Sequence, residues 1–279
     1  MSAQIIVITD LDGTLLDHQT YDHSPAGAAL GELKRRKIPL VLCSSKTASE
    51  MIPLREEIKN AHPFIVENGG GIYVPKNYFS ILPAGTWNRN SFQVIPLGRA
   101  YFELQPILDR LSAQHHLNIE AFHDMSAKQL VLASGLPLDQ AERSLEREFD
   151  LPFRVLSGAD QLDLLEQAAR EEDLRLIRGG RFLHLSGLSD KGTAVQSLIE
   201  LYQINSDRAV QVIGLGDSQN DVGLLQEVDI PVLIPNPHSQ TPLGSEVPDL
   251  RRAETAGPSG WNDIVLELLA EADLEEADT

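Results

Sequence analysis

The chain has 279 residues, 42% of them apolar, enough for one large or two moderate folded units. Its formal charge of −18 and isoelectric point near 4.7 argue against nucleic acid or an anionic membrane as partner, since both require basic patches. Cysteine occurs once, at Cys43, which excludes an intramolecular disulfide and a cysteine-based metal site, and no apolar stretch reaches the ~18 residues of a membrane helix.

In chain order, an apolar run over 5–9 predicts a first strand. No basic-then-apolar leader precedes it, so a cytoplasmic protein is expected. Ser24-Pro25 reads as a helix start, and Ala28, Leu30 and Leu33 carry that helix to about residue 37. A second strand over 39–43 holds Cys43 as a small buried apolar residue. A helix over 47–58 and a third strand over 64–66 follow. Strand and helix alternating with short connections imply a doubly wound parallel sheet. Glu67-Asn68-Gly69-Gly70-Gly71 then turns the chain into a hairpin strand over 72–74.

The rhythm changes over 86–185. Helical patterns over 99–114, 139–149 and 160–171 interleave with short strand candidates over 118–122, 153–156, 174–177 and 182–185, with Gly179-Gly180 as a hairpin turn. This is expected to be an inserted α+β domain, leaving 1–85 and 186–279 as the α/β core. The core resumes with a helix over 191–202, a strand over 209–213, a helix over 220–227, a strand over 230–234 and a helix over 261–270. Beyond residue 271 the Glu- and Asp-rich end reads as a frayed, solvated tail.

Four segments fall at the ends of predicted core strands or at helix starts nearby, where doubly wound sheets bind ligands. Asp10 and Asp12, two apart after the first strand, point to the same side. Ser44-Ser45-Lys46-Thr47 opens a helix, where hydroxyls and N–H groups form either an anion site or a simple cap. Lys191 stands at a helix start, where the dipole disfavours a cation, so an anion near it is implied. Gly214-Leu215-Gly216-Asp217 leads to Asp221. Gln219 stands where a dinucleotide fingerprint needs its third glycine, whereas two acids four apart suit a hard cation such as Mg²⁺. Acids at a helix N-terminus favoured by its dipole are the alternative for Asp221.

The ordered set D-x-D-x-T, Ser after the second strand, Lys before a later helix and GDxxND resembles the haloacid dehalogenase superfamily of phosphohydrolases, in the branch with a large α/β cap. Within it the chain is most similar to mannosyl-3-phosphoglycerate phosphatases. Ser44-Ser45-Lys46-Thr47, Glu67-Asn68-Gly69-Gly70, Arg147-Glu148-Phe149-Asp150 with Pro152-Phe153, and residues 179–185 carry that likeness, while Leu151 replaces the glutamate of the family pattern.

The resemblance implies a Mg²⁺-dependent phosphomonoesterase. Asp10 would attack phosphorus and Asp12 would serve as acid and then base. Mg²⁺ would lie on Asp10, the Asp12 carbonyl and Asp217, supported by Asp221. Ser44 and Lys191 would hold the phosphoryl oxygens, and Ser45, Lys46, Asn68 and Asn220 would contribute to substrate binding. Arg181 is the first candidate for a glycerate carboxylate because its fork pairs with carboxylates, with His184 and Lys46 behind it. His115, His116 and His123 are expected on the cap surface, and Trp87 and Trp261 in packing. The implied partner is a small phosphorylated sugar-glycerate, with oligomeric state open. Rival readings are a glucosyl-3-phosphoglycerate or broad sugar phosphatase, a phosphomutase, and a non-catalytic phospho-ligand sensor.

Overall fold

The computed structural model describes residues 3–178, 182–237 and 246–277. The first half of the core comprises β1 (Gln4–Thr9), α1 (Gly27–Arg36), β2 (Leu40–Cys43), α2 (Ala48–Glu57), β3 (Phe64–Val66), β4 (Gly71–Pro75), β5 (Trp87–Arg89) and β6 (Phe92–Pro96). A second unit follows: α3 (Tyr101–Gln114), β7 (Asn118–Ala121), α4 (Ala127–Ser134), α5 (Leu138–Ser144), β8 (Asp150–Ser157), α6 (Leu162–Glu171), β9 (Arg175–Arg178) and β10 (Leu183–Ser186). The chain then returns to the core through α7 (Lys191–Ile204), β11 (Val210–Gly216), α8 (Val222–Gln226), β12 (Ile230–Leu233), β13 (Arg251–Arg252) and α9 (Gly257–Ala277).

The core sheet has the order β13-β12-β11-β1-β2-β3-β4-β6-β5. Strands from β13 to β3 are parallel, and β4, β6 and β5 extend the edge antiparallel. Both faces are covered. Val7 and Leu42 pack among Leu33, Met51, Trp261 and Val265, while Ile6, Ile8, Val41 and Cys43 pack against Val195, Leu198 and Leu224. Burial on both sides is why β1 reads as an unbroken apolar run rather than an alternating one. From β1 the chain continues toward β2, and from β11 toward β12 on the opposite side, so a topological switch point lies between β1 and β11.

The second unit is an antiparallel sheet of order β7-β8-β10-β9. One face buries Leu151, Phe153 and Leu185 against Leu104, Leu108 and Leu165 of α3 and α6. Strand alternation turns Asp150, Pro152 and His184 to the other face.

Several expectations change. Residues 87–96, expected within the insertion, form β5 and β6, of which β6 hydrogen-bonds onto β4 and β5 onto β6, and we propose that the insertion begins after residue 96 rather than at 86. The helix expected over 139–149 stops at Ser144 because the N–H groups of Glu148, Phe149 and Asp150 bond instead to the Glu67 carboxylate. The acidic end is helical as far as Ala277, since Ala, Leu and Glu favour helix and Arg36 and Arg251 pair with Asp273 and Glu271. Gly179, Gly180 and Arg181 lie outside the described residues. Among the described residues, no helix is long and apolar enough to cross a membrane.

Candidate active site

Asp10 leaves β1 and Asp217 leaves β11 on either side of the switch point, so both carboxylates enter one crevice. The backbone there is held from several directions. The Asp10 N–H donates to the Leu215 carbonyl at 2.9 Å. The Thr9 hydroxyl donates to the Asp10 carbonyl at 2.8 Å and accepts from the buried Trp261 indole at 3.0 Å. Gly13 has φ +86°, and a Cβ on it would lie 2.4 Å from Asp217 Oδ2. The first turn thus approaches the second acid only because residue 13 has no side chain.

Lys191 begins α7 and is only 1% exposed. Its Nζ reaches Asp10 Oδ1 at 2.6 Å and Asp221 Oδ1 at 2.7 Å. A cation here opposes the helix dipole, and Asp190 offsets that cost by capping the helix at the Thr193 N–H, 2.8 Å away. Burial works against the lysine's charge, but Asp10 and Asp221 hold its pKa well above the usual range. Asp221 Oδ2 accepts the N–H groups of Asp217 and Ser218 at 3.0 and 3.1 Å, which shapes the turn after β11.

Asp10, Asp217 and Asp221 each offer an oxygen, all within 4.8 Å of one another. Burial, then Asp221, pushes Asp10 well above the carboxylate range against the pull of Lys191. Burial and Asp221 likewise push Asp217 up to about 7, although Asn236 donates to it. Three buried acids around one lysine leave an excess of negative charge. An oxygen-seeking divalent cation fits that donor set, since Mg²⁺ needs only one or two carboxylates together with water or phosphate. Both oxygens of Asp221 are already engaged, which leaves Asp10 and Asp217 better able to bind an ion directly.

Asp12 pairs with a residue outside this cluster. Its Oδ2 meets Lys46 Nζ at 2.7 Å, and its Oδ1 is buried with no partner among the described residues. The ammonium also lies 4.9 Å from the centre of the Tyr21 ring. Burial opposes the charge of Lys46, and Asp12 and Glu50 outweigh it to raise the pKa. The Ser44 hydroxyl accepts the Lys46 N–H at 3.3 Å, and its carbonyl accepts the Asn68 N–H at 3.0 Å. Thr47 caps α2 in a reciprocal box with Glu50.

A cleft of about 370 Å³ extends from Asp12, Ser45 and Lys46 of the core to Phe122, Phe182 and His184 of the second unit. His184 Nδ1 lies 2.8 Å from Asp150 Oδ2, and Asn68 Nδ2 reaches the same oxygen at 3.4 Å. Of the other residues named from sequence, Asn220 is exposed and accepts from the Ser218 hydroxyl. Arg181 is outside the described residues. Trp261 is fully buried, whereas Trp87 is 40% exposed and packs on Phe149. Cys43 is fully buried, and burial pushes its thiol pKa up.

Sequence reasoning gave no role to the charges that join the two units. The Glu67 carboxylate accepts from Glu148, Phe149 and Asp150 N–H groups at 2.9 to 3.1 Å. Arg147 lies 2.9 Å from Asp150 Oδ1 and donates to the Ser45 carbonyl at 2.9 Å. The available signal was Arg147 and Asp150 beside an apolar strand, charges that need partners wherever the strand is buried.

A family model described as haloacid dehalogenase-like hydrolase matches residues 7–83 and 185–241. The two matched segments flank the second sheet. A Methanococcoides burtonii protein named glucosyl-3-phosphoglycerate/mannosyl-3-phosphoglycerate phosphatase is 36% identical, covering 95% of this chain and 97% of that one. A Persephonella marina protein of the same name is 37% identical, covering 96% and 98%. A crystal structure from Thermoplasma acidophilum shares the fold, with a TM-score of 0.66 at 15% identity over 96% of this chain and 98% of that chain. Switch point, acid cluster and full-length likeness agree: the chain belongs to the haloacid dehalogenase superfamily and is a phosphoric monoester hydrolase.

Proposed function

We propose that this enzyme hydrolyses mannosyl-3-phosphoglycerate to mannosylglycerate and phosphate with Mg²⁺, and that it accepts the glucosyl ester as a second substrate. The observation that carries the chemistry is the convergence of Asp10, Lys191, Asp217 and Asp221 at the switch point. Support for the substrate comes from the full-length relatives, whose names include both sugars.

In this reading Asp10 attacks phosphorus and becomes an aspartyl-phosphate, the sugar-glycerate leaving as its alcohol. Lys191 orients the Asp10 carboxylate through Oδ1 and neutralises charge beside it. Asp12 delivers a proton to the departing oxygen and then removes one from the water that hydrolyses the intermediate. Ser44, at the start of the loop before α2, contributes its hydroxyl to a phosphoryl oxygen. Mg²⁺, held by Asp10 and Asp217 with the Asp12 carbonyl and supported by Asp221, would supply charge neutralisation at the phosphoryl group. Ser45, Lys46, Asn68 and His184 border the route from the core to the sugar-glycerate. Arg181 and Asn220 remain proposed contacts on the same substrate.

The test is phosphate release from mannosyl-3-phosphoglycerate by wild type, by chelator-treated protein and by Asp10→Asn. Removal of divalent ion or of the nucleophile is expected to lower turnover at least about a thousandfold, with the circular dichroism spectrum of the variant unchanged. Substantial turnover by Asp10→Asn would refute the nucleophile.

A further inference from the structure

Asp150 is fully buried at the start of β8, on the face that turns away from the second unit's own apolar core. Three neighbours surround its carboxylate. His184 Nδ1 from β10 lies 2.8 Å from Oδ2, Asn68 Nδ2 from the core loop lies 3.4 Å from the same atom, and Arg147 Nε lies 2.9 Å from Oδ1. The Asp150 N–H goes to Glu67. Burial disfavours its charge, but the Arg147 guanidinium and His184 hold its pKa below the ordinary carboxylate value.

An ionised carboxylate only accepts hydrogen bonds, so the proton of that contact belongs to His184 Nδ1. The bond therefore sets both the tautomer and the plane of the ring, as carboxylates do for metal-bound and catalytic histidines. Nε2 is left for another partner, and none takes it among the described residues. His184 itself lines the cleft that begins at Asp12 and Lys46. Lys46 is already paired with Asp12, and Arg147 with Asp150 and Glu67.

The geometry points to Asp150 as a positioning residue that holds the proton on His184 Nδ1 and so presents Nε2, the accepting nitrogen of the ring, to a hydroxyl of the substrate's sugar. This rests on the substrate reading above. Because Asn68 and Glu67 hold the same acid from the core side, the core also helps to set the histidine. A hydroxyl of an incoming sugar would then meet an acceptor whose orientation is fixed before binding.

The test uses Asp150→Asn, which preserves volume. Arg147 would claim the single amide oxygen, so the amide NH₂ would face Nδ1, which must then accept. Nitrogen-15 spectra of histidine-labelled, ligand-free enzyme should show His184 protonated at Nδ1 in wild type and at Nε2 in Asp150→Asn. KM for the glycosyl phosphoglycerate should rise about fivefold, the loss of one hydrogen bond from a sugar hydroxyl, with kcat within about twofold. Hydrolysis of p-nitrophenyl phosphate, which has no sugar hydroxyl, should stay within about twofold and shows that the variant is folded. Asp150→Asn in a His184→Ala background should add nothing to KM. An unchanged His184 tautomer, or effects of the two substitutions that multiply, would overturn the proposal. If wild type cleaves p-nitrophenyl phosphate but no glycosyl phosphoglycerate, the substrate reading fails, and the tautomer still decides whether Asp150 positions His184.

Discussion

Two residues outside the crevice, one buried and one half-buried, show what local surroundings set. Trp261 lies on the last helix, and its indole N–H supports Thr9, which in turn holds the Asp10 carbonyl. The C-terminal helix therefore contributes to the placement of the proposed nucleophile. His62 has its Nδ1 2.8 Å from the Tyr78 hydroxyl, which also meets Tyr202 at 2.9 Å. Burial, then Arg55, lowers the His62 pKa to about 4 from an ordinary value of 6.5. Its contribution to stability is therefore complete above pH 6.5 and is lost as pH falls toward 4, where the unfolded chain takes up the proton first. The loss is at most about 3 kcal/mol, reduced by the ring's partial exposure. Urea unfolding of wild type and His62→Gln at pH 7 and pH 4.5 checks this. The variant should be the less acid-sensitive protein, and equal acid sensitivity would contradict the assignment.

At the scale of elements, the loop after β3 is the joint of the molecule. Glu67 and Asn68 adopt positive φ values of 50° and 56°, and Gly69 follows at 93°. A Cβ on Gly69 would lie 2.0 Å from the Asp190 carbonyl oxygen, immediately before Lys191. Gly69→Ala is expected to destabilise the fold by about 3 kcal/mol or more and to lower turnover by displacing the start of α7. Urea unfolding and steady-state kinetics on the same variant check both effects. Full stability in Gly69→Ala would mean that the loop is free to move away from α7.

The same joint separates what was legible in the sequence from what was not. Asp10, Lys191 and Asp217 were legible because each stands at a strand end or helix start that hydrophobic periodicity marks locally. The hold of Glu67 on Glu148, Phe149 and Asp150 was not, because its partners lie some eighty residues away and no local pattern pairs them. Helical periodicity continued past Ser144, and this tertiary contact overrode it. Residues 87–96 were counted with the insertion for a related reason. Pairing with β4 is a property of the sheet, and a short hairpin carries no mark of the sheet it joins. Asp150 appeared only as part of a family-like segment, and nothing paired it with His184, a substrate candidate, until strand alternation put both on one face.

For the molecule as a whole, the formal charge of −18 sharpens the problem of binding an anionic ester. The fold answers it by placing Lys191 in the core crevice and Lys46 and Arg147 at the border between the core and the second unit, each beside buried or half-buried acids. The acid cluster should then couple metal binding to folding, because an ion that binds only the native state stabilises it. Millimolar Mg²⁺ is expected to raise the melting temperature of wild type by a few degrees and to leave Asp217→Asn unchanged. Differential scanning calorimetry with and without Mg²⁺ checks this, and equal shifts in both proteins would remove Asp217 from the metal site.

The proposed function is selection of glycosyl-3-phosphoglycerates by this cleft for hydrolysis at Asp10. Its most direct test is Mg²⁺-dependent phosphate release, as kcat/KM, from mannosyl-3-phosphoglycerate, glucosyl-3-phosphoglycerate, 3-phosphoglycerate and several hexose phosphates. The two glycosyl esters should exceed the others by at least about a hundredfold, with the mannosyl ester first. A flat profile, or phosphate moved within the sugar rather than released to water, would contradict it.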